Sequence, residues 1–166
     1  DISKATLKEE TEDYYKGPLS FFDEQAKKRY IPYVIEPSAG IDRSTLAFLV
    51  DAYDEEEVNG ETRNLLRFHP EIAPIKAAIF PLVKKDCLPE IAMNISNTLR
   101  RHFNIYYDEK GAVGRRYRRQ DEAGTPYCIT VDGQVKDDNT ITVRDRDSMQ
   151  QERVNADNIL SYIRDR

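Results

Sequence analysis

The sequence has few of the residues on which metal sites, disulfides and nucleophilic catalysis depend. Its 166 residues include two cysteines, Cys87 and Cys128, and two histidines, His69 and His102. The cysteines lie far apart and show no metal-ligand spacing, so we expect both to be small buried residues in a reducing compartment. No serine or cysteine has a convincing partner for nucleophilic catalysis, and we expect the histidines to be structural or exposed. We therefore expect no metal site.

Long apolar runs and glycine-rich phosphate loops are also missing. No segment reaches membrane-spanning length and no signal peptide is present, which argues against a membrane protein. The P-loop and dinucleotide-binding patterns are absent. The chain begins with Asp1 rather than Met, so we expect a piece of a longer protein. With 39% hydrophobic residues, the chain can bury the core of one domain with an attached fragment.

Charge is distributed unevenly along the chain. The net charge of −5 argues by itself against a nucleic-acid-binding protein. Residues 1–71 hold 9 Lys and Arg against 16 Asp and Glu, a net charge of −7, whereas residues 72–166 hold 16 against 14, a net charge of +2. An acidic segment is therefore joined to a mildly basic one, whose basic groups can form a local patch.

Hydrophobic periodicity predicts an α/β fold with a mixed β-sheet. Phe21 and Phe22 are expected to pair with residues 29–36 as a hairpin, and residues 43–53 read as an amphipathic helix with Asp42 as N-cap. A polar segment, residues 54–60, is predicted to end that helix. We place a domain boundary between Val58 and Pro74. Beyond it, strands are predicted at 75–82, 104–107, 127–131 and 140–143, and helices at 89–103, 114–122 and 156–163.

Residues 33–43 are the most informative stretch of the sequence. A β-branched run ends there in Glu-Pro-Ser-x-Gly, and an arginine follows just where the helix is predicted to begin. The segment resembles motif 3 of class II aminoacyl-tRNA synthetases, in the form used by glycyl-tRNA synthetases. Further segments of this resemblance follow in order at residues 65–70, 73–76, 80–85, 114–122, 124–126 and 142–147. Together they are similar to the C-terminal third of dimeric bacterial-type glycyl-tRNA synthetases and cover residues 29–166.

The resemblance implies a domain organisation and a parent activity. Residues 1–57 would be a C-terminal fragment of the class II catalytic domain, residues 58–73 a linker, and residues 74–166 an anticodon-binding domain. That α/β domain, a mixed sheet flanked by helices, is shared by the glycyl, threonyl, prolyl and histidyl enzymes. The parent would be a cytoplasmic homodimer that ligates glycine to tRNA(Gly) through an adenylate, using ATP with Mg²⁺. No further cofactor, membrane or DNA is expected.

Three residues of the motif 3 segment are candidate catalytic-site residues. A carboxylate at a strand end can bind an ammonium group through charge-assisted hydrogen bonds, and the resemblance implies that Glu36 and Ser38 contact the amino group of glycine. Arg43 would be the motif 3 arginine that contacts ATP, since its planar charge suits nucleotide recognition and adenylation. Motifs 1 and 2 are not found in these 166 residues. We therefore expect the chain alone not to form glycyl-adenylate.

Basic residues in the second part are the candidates for anticodon recognition. Arginine forks suit phosphates and base edges, and tyrosine can stack on an unpaired base. The predicted basic helix has four arginines around Tyr117, three of which share one face. The candidates on that helix are Arg115, Arg116, Arg118 and Arg119. The alternative for this helix is a solvated face neutralised by Asp121 and Glu122.

Further candidates lie outside the basic helix. Arg144 and Arg146 alternate along a strand, so they are expected to point to the same side, and the resemblance implies that one of them reads an anticodon base. The loop 108–111, which includes Glu109, would lie beside the anticodon. Lys84 and Lys85 follow the first strand of the domain and are expected to contact phosphates.

Two other functions are compatible with parts of the sequence. The chain could be a stand-alone module that uses the anticodon-binding fold for protein or RNA binding without catalysis, but Glu36, Ser38 and Arg43 argue against that reading. It could also be an independent enzyme acting through the arginine-rich helix, but the lack of a nucleophile–base pair argues against that.

Overall fold

The computed structural model describes residues 20–33, 35 and 37–166. The chain divides into two compact units at the junction between Ser44 and Thr45. In the first unit, β1 (Phe21–Asp23) and β2 (Lys28–Tyr30) form an antiparallel hairpin. The rings of Phe21 and Tyr30, which stand opposite each other, meet edge to face with centroids 5.9 Å apart. The hairpin confirms the predicted pairing of Phe21 and Phe22, but its second strand ends at Tyr30 and does not extend over the predicted residues 29–36.

Helix α1 (Ile41–Ala52) follows Gly40 directly, and the Gly40 carbonyl accepts a hydrogen bond from the Ser44 amide at 3.0 Å. The helix was predicted two residues later, over 43–53. Its periodic apolar residues, among them Leu46, Leu49 and Val50, are exposed. The apolar face of α1 therefore stays open to solvent in the part of the chain that the structure describes.

A second hairpin follows α1 without a break. Strands β3 (Tyr53–Val58) and β4 (Glu61–Leu66) pair antiparallel, and Asn59 and Gly60 both have positive φ, as a two-residue type I′ turn requires. The prediction of a polar exit at residues 54–60 is wrong, since these residues belong to the hairpin. Strand β4 lies within residues 58–73, which were predicted as a linker. Four consecutive acidic residues are typical of a solvent-exposed loop. In β3 the same residues alternate between an exposed side and a partly buried side of the strand.

The second unit is built on a five-stranded mixed sheet with the order β6-β5-β7-β8-β9. Strands β5, β6 and β7 run parallel, and β8 and β9 are added antiparallel. The strands are β5 (Ala77–Pro81), β6 (Ile105–Tyr107), β7 (Tyr127–Val131), β8 (Thr140–Asp145) and β9 (Gln151–Asn155). The helices are α2 (Leu88–Leu99), α3 (Val113–Ala123), α4 (Val135–Asp138) and, after a 3-10 turn at Ala156–Asn158, α5 (Ile159–Arg164). The mixed α/β fold is confirmed, although β9 and α4 were not predicted.

The two faces of this sheet are covered differently. One face is apolar and packs against α2 and α5 through a core that includes Ile79, Leu99, Ile129 and Ile163. On the other face, a small cluster of Ala78, Phe80 and Cys128 packs against Tyr117 of α3. Strand alternation places Thr130 and Thr142 on this second face. The second face is therefore apolar beneath α3 and polar towards β8 and β9.

The cysteines differ in their surroundings. Cys128 is buried as predicted, and burial raises the pKa of its thiol. The same prediction is wrong for Cys87, which is exposed because it lies in the turn that leads from β5 into α2. Within the described ranges, no helix is long and apolar enough to cross a membrane. Those ranges also hold no group of three His, Cys, Asp or Glu side chains placed to bind a metal ion.

Candidate nucleic-acid interface

The motif 3 candidates belong to the first unit. Glu36 lies outside the described residues, and Ser38 is exposed in the segment that precedes α1. Arg43 is exposed in the first turn of α1. Their roles towards glycine and ATP remain predictions.

The polar part of the second sheet face forms a concavity of about 220 Å³. It is lined by Leu82, Val113, Tyr117, Thr130, Asp132, Thr142 and Gln151, and we call these residues the open face. Leu82 and Asp132 directly follow the carboxyl ends of the parallel strands β5 and β7, the edge where ligands bind in open α/β sheets. The concavity is smaller than the roughly 300–1,000 Å³ of drug-sized pockets, so it has room for a small group only.

Tyr117 is held rigidly at the wall of the open face. Its hydroxyl hydrogen-bonds the Thr130 hydroxyl at 2.6 Å, and its ring meets Phe80 edge to face with centroids 5.7 Å apart. The guanidinium of Arg144 lies 4.9 Å from the ring centroid, within cation–π distance. Burial raises the pKa of Tyr117, so the hydroxyl keeps its proton at neutral pH. An aromatic surface with one fixed orientation results.

Hydrogen-bonding groups on the open face are also fixed by neighbours. Arg153 of β9 donates from Nη1 to Asp132 Oδ2 at 2.5 Å and to the Thr142 hydroxyl at 2.9 Å. None of these three residues was singled out from the sequence. The available signal was the single threonine inside each of two apolar strand runs, Ile129-Thr130-Val131 and Ile141-Thr142-Val143, since strand alternation puts both threonines on one face.

Arg116 is not part of an exposed basic surface. The residue is 3% exposed, and its guanidinium donates to the carbonyls of Pro81 at 2.7 Å and of Leu82 and Asp108 at 3.4 Å. These carbonyls stand at the carboxyl ends of β5 and β6. The guanidinium therefore joins the two strand ends, and a role of Arg116 towards RNA remains a prediction.

The other arginines of α3 keep exposed surface. Arg115 is exposed. Arg118 pairs with Glu61 of β4 at 3.0 Å, and Arg119 pairs with Asp108 at 2.5 Å. Of the acidic residues expected to neutralise this helix, Glu122 is exposed, whereas Asp121 is fully buried.

Lys84 and Glu109, both predicted near the anticodon, are brought together at the ends of β5 and β6. Lys84 Nζ lies 3.0 Å from Glu109 Oε1, and the Tyr107 hydroxyl donates to Glu109 Oε2 at 3.1 Å. The Lys84 hydrogen bond, followed by that of Tyr107, lowers the pKa of Glu109, while burial and then Glu109 raise the pKa of Tyr107 to about 12. Lys85 is exposed beside them.

Arg144 and Arg146 are buried rather than displayed. Arg144 donates from Nη1 and Nη2 to the two carboxylate oxygens of Asp121 at 2.9 and 3.2 Å. Arg146 is 2% exposed and donates to the carbonyls of Gly124 at 3.0 Å and Phe68 at 2.9 Å. Buried acceptors at α3 and after β4 engage both side chains. A base-reading role for either remains a prediction.

Solved structures share the fold of a large part of this chain. Prolyl-tRNA synthetase from Cryptosporidium parvum superposes with a TM-score of 0.55 and 18% identity, over 61% of this chain and 22% of that chain. The RNA binding domain of threonyl-tRNA synthetase from the same organism superposes with a TM-score of 0.50 and 21% identity, over 55% of this chain and 23% of that chain. The class of fold is thus the mixed α/β domain found in tRNA synthetases.

Sequence comparison identifies the family. Residues 76–166 match the sequence model of the anticodon binding domain, and the chain belongs to this family. Glycine--tRNA ligase from Rhodopirellula baltica is 56% identical over 153 residues, which is 89% of this chain and 28% of that protein. Glycine--tRNA ligase from Clostridium tetani is 54% identical over 146 residues, 87% of this chain and 31% of that protein. The chain therefore spans about a third or less of these relatives.

Proposed function

We propose that this chain is the anticodon-recognising part of a glycine--tRNA ligase. The observation that carries the proposal is the 56% identity to such a ligase over 153 residues, since it extends across 89% of the chain, beyond the matched domain. The named relatives favour this reading over a stand-alone module. The parent would be a cytoplasmic homodimer that uses glycine, ATP with Mg²⁺ and tRNA(Gly).

The open face is proposed to receive an unpaired anticodon base. RNA loops are read by stacking on aromatic rings and by hydrogen bonds to splayed-out bases. Tyr117 offers a fixed ring, and Asp132, Thr142 and Gln151 offer acceptors and donors around one small concavity. Exposed basic groups in the same unit suit the phosphate backbone, and these are Lys84, Lys85, Arg115 and Arg119, whereas Arg118 is partly buried and held by Glu61.

Fluorescence anisotropy with labelled RNA tests the proposal. The chain is titrated with the anticodon stem-loop of tRNA(Gly) and with the same hairpin carrying a changed anticodon base. We expect the cognate hairpin to bind more tightly by about 1–3 kcal/mol, or roughly 5- to 150-fold. Affinity for both should fall steeply as salt is raised, because phosphate contacts release counterions. Equal binding of both hairpins, or no binding, would contradict the proposal.

Two classes of variant separate phosphate contacts from base reading. Lys84→Gln with Lys85→Gln should weaken both hairpins equally, because phosphate contacts carry no sequence information. Thr142→Val should reduce the difference between the hairpins, since it removes a hydroxyl from the open face. Arg100→Gln with Arg101→Gln is the matched control, an adjacent exposed basic pair just after α2, and should change neither affinity. A loss of discrimination in the lysine variant would contradict this division of roles.

The catalytic residues are proposed for the parent enzyme. Glu36 and Ser38 would hold the glycine ammonium, and Arg43 would contact ATP. Glu36→Gln in the parent should raise the KM for glycine or lower kcat while leaving the KM for ATP unchanged, because losing one partner of a charge pair costs about 2–4 kcal/mol. Unchanged glycine kinetics would remove Glu36 from the pocket. The chain alone should show no glycine-dependent pyrophosphate exchange, and clear exchange would contradict that expectation.

A further inference from the structure

The β3–β4 hairpin lies outside the matched anticodon-binding region but is packed into the same unit. The family match begins at residue 76, whereas the hairpin covers residues 53–66. Arg63 and Leu65 of β4 are each 1% exposed, and β4 lies against α3. The hairpin is therefore part of the folded unit that holds the open face, and Arg63 is one of its most deeply buried charges.

Asp121 is the point where this hairpin and the sheet meet. Its fully buried carboxylate accepts a hydrogen bond from Arg63 Nε at 2.9 Å on Oδ2, the oxygen that also accepts from Arg144 Nη2 at 3.2 Å. Arg63 is fixed further by Glu56 and by the carbonyl of Arg146, which accepts from Nη2 at 2.7 Å. One carboxylate thus holds an arginine of the hairpin and an arginine of β8 at the same time.

A series of side-chain contacts connects Asp121 to the open face. Arg144, held by Asp121, places its guanidinium 4.9 Å from the ring centroid of Tyr117, and the Tyr117 hydroxyl bonds Thr130. Without Arg63, the buried Asp121 carboxylate loses one of its two charged partners, and a buried charge left short of partners is destabilised in place. Asp121 and the Arg144 guanidinium bound to it would then shift, and the Tyr117 ring would lose one of its supports.

We propose that Arg63 and Asp121 are positioning residues for the nucleotide site, acting through Arg144 on the ring of Tyr117. The RNA-binding unit therefore begins at the β3–β4 hairpin and not at residue 76. The physical basis is preorganisation, because a ring that is already immobile loses less freedom when a base stacks on it. The inference rests on the proposed function, since it assumes that the open face receives a base.

The test uses the full chain with two substitutions at one position. Arg63→Met removes the charge and the hydrogen bonds but keeps an unbranched apolar stem, and Arg63→Lys keeps a charge that can pair with Asp121. Glu61→Gln is the matched control, because it breaks another ion pair between the same hairpin and α3, with Arg118, at an exposed site. Affinity for the cognate anticodon hairpin and the flip rate of the Tyr117 ring, observed by aromatic NMR, are measured for each chain.

We expect Arg63→Met to weaken binding by about tenfold, as for residues coupled through one network, and to speed the Tyr117 ring flip. Arg63→Lys should recover part of both, and Glu61→Gln should change affinity less than about twofold. In a Tyr117→Ala background, Arg63→Met should have no further effect on affinity. A merely structural anchor would instead lower the free energy of unfolding and leave the ring flip and the coupling with Tyr117 unaltered.

The outcomes distinguish this inference from the proposed function. If the wild-type chain does not bind the hairpin, the proposed function fails. If the wild-type chain binds and the Arg63 variants bind equally well with an unchanged Tyr117 ring, only the inference fails. If Arg63→Met does not fold, the comparison is made with Arg63→Lys and Glu56→Gln, which each leave part of the network in place, and wild-type affinity in both overturns the inference.

Discussion

Replacing Asp121 by Asn should destabilise the second unit more than any exposed charge substitution. Asp121 is fully buried and accepts three hydrogen bonds from two guanidinium groups, Arg63 and Arg144. Asparagine keeps the shape but removes the negative charge and presents amide donors to arginine donors. Removing one partner of a buried charge pair typically costs about 3–5 kcal/mol. That is a large part of the roughly 5–15 kcal/mol by which domains are stable.

Urea unfolding followed by circular dichroism at pH 7 measures this cost. The midpoint for Asp121→Asn should fall sharply, while Glu61→Gln, which breaks an exposed pair, should change the free energy of unfolding by less than about 1 kcal/mol. A cost below about 1 kcal/mol for Asp121→Asn would refute the reasoning, since it would mean that Arg63 and Arg144 find other partners or water without penalty.

Three further outcomes are expected from single contacts. Gly124→Ala should destabilise the fold by about 2–3 kcal/mol in urea unfolding, because φ is +77° and a Cβ would meet Phe68 Cδ2 at 2.4 Å; a neutral result would contradict the close approach. Cys87 should react with a thiol reagent in the native chain and Cys128 only after unfolding, as mass spectrometry would show; equal rates would contradict the burial of Cys128. Burial opposes ionisation of Asp147, but hydrogen bonds from Arg146 and then Arg67 outweigh it and lower its pKa below the usual 3.8. The stabilisation from Asp147 is therefore complete above that value and lost as pH falls through the lowered pKa, so Asp147→Asn should flatten the decline of stability in acid, and an unchanged decline would count against it.

The regular elements of the sheet domain follow from local patterns. The continuous apolar run around β5 predicts a strand buried on both faces, and all five residues of β5 are buried. Helix α3 was likewise predicted to within one residue at each end, and α2 to within one residue at its start and four at its end. The β1–β2 hairpin was predicted with a longer second strand than the one observed. Local spacing is sufficient here because each element is amphipathic or apolar over its own length.

The local signal for the β3–β4 hairpin was its turn, Asn59-Gly60, which favours a type I′ hairpin, whereas its strands show no apolar alternation. Its acidic strand is stabilised by partners that are distant in sequence, including Asp121, which lies 58 residues from Arg63. The same limit applies to the arginines. Spacing places Arg144 and Arg146 on a strand, but only the tertiary fold supplies the buried acceptors that turn both side chains inward. In the sequence, only Thr130 and Thr142 indicated the polar open face, which is now the candidate site in place of Arg144 and Arg146.

The central claim is that the open face receives the anticodon. Amide chemical-shift changes, followed by NMR while the cognate hairpin is titrated into the chain, test it most directly. The account predicts that the largest changes cluster at Leu82, Val113, Thr130 and Gln151, and that a hairpin with a changed anticodon base gives smaller ones. Changes centred on the opposite face of the sheet, around α2 and α5, would contradict it.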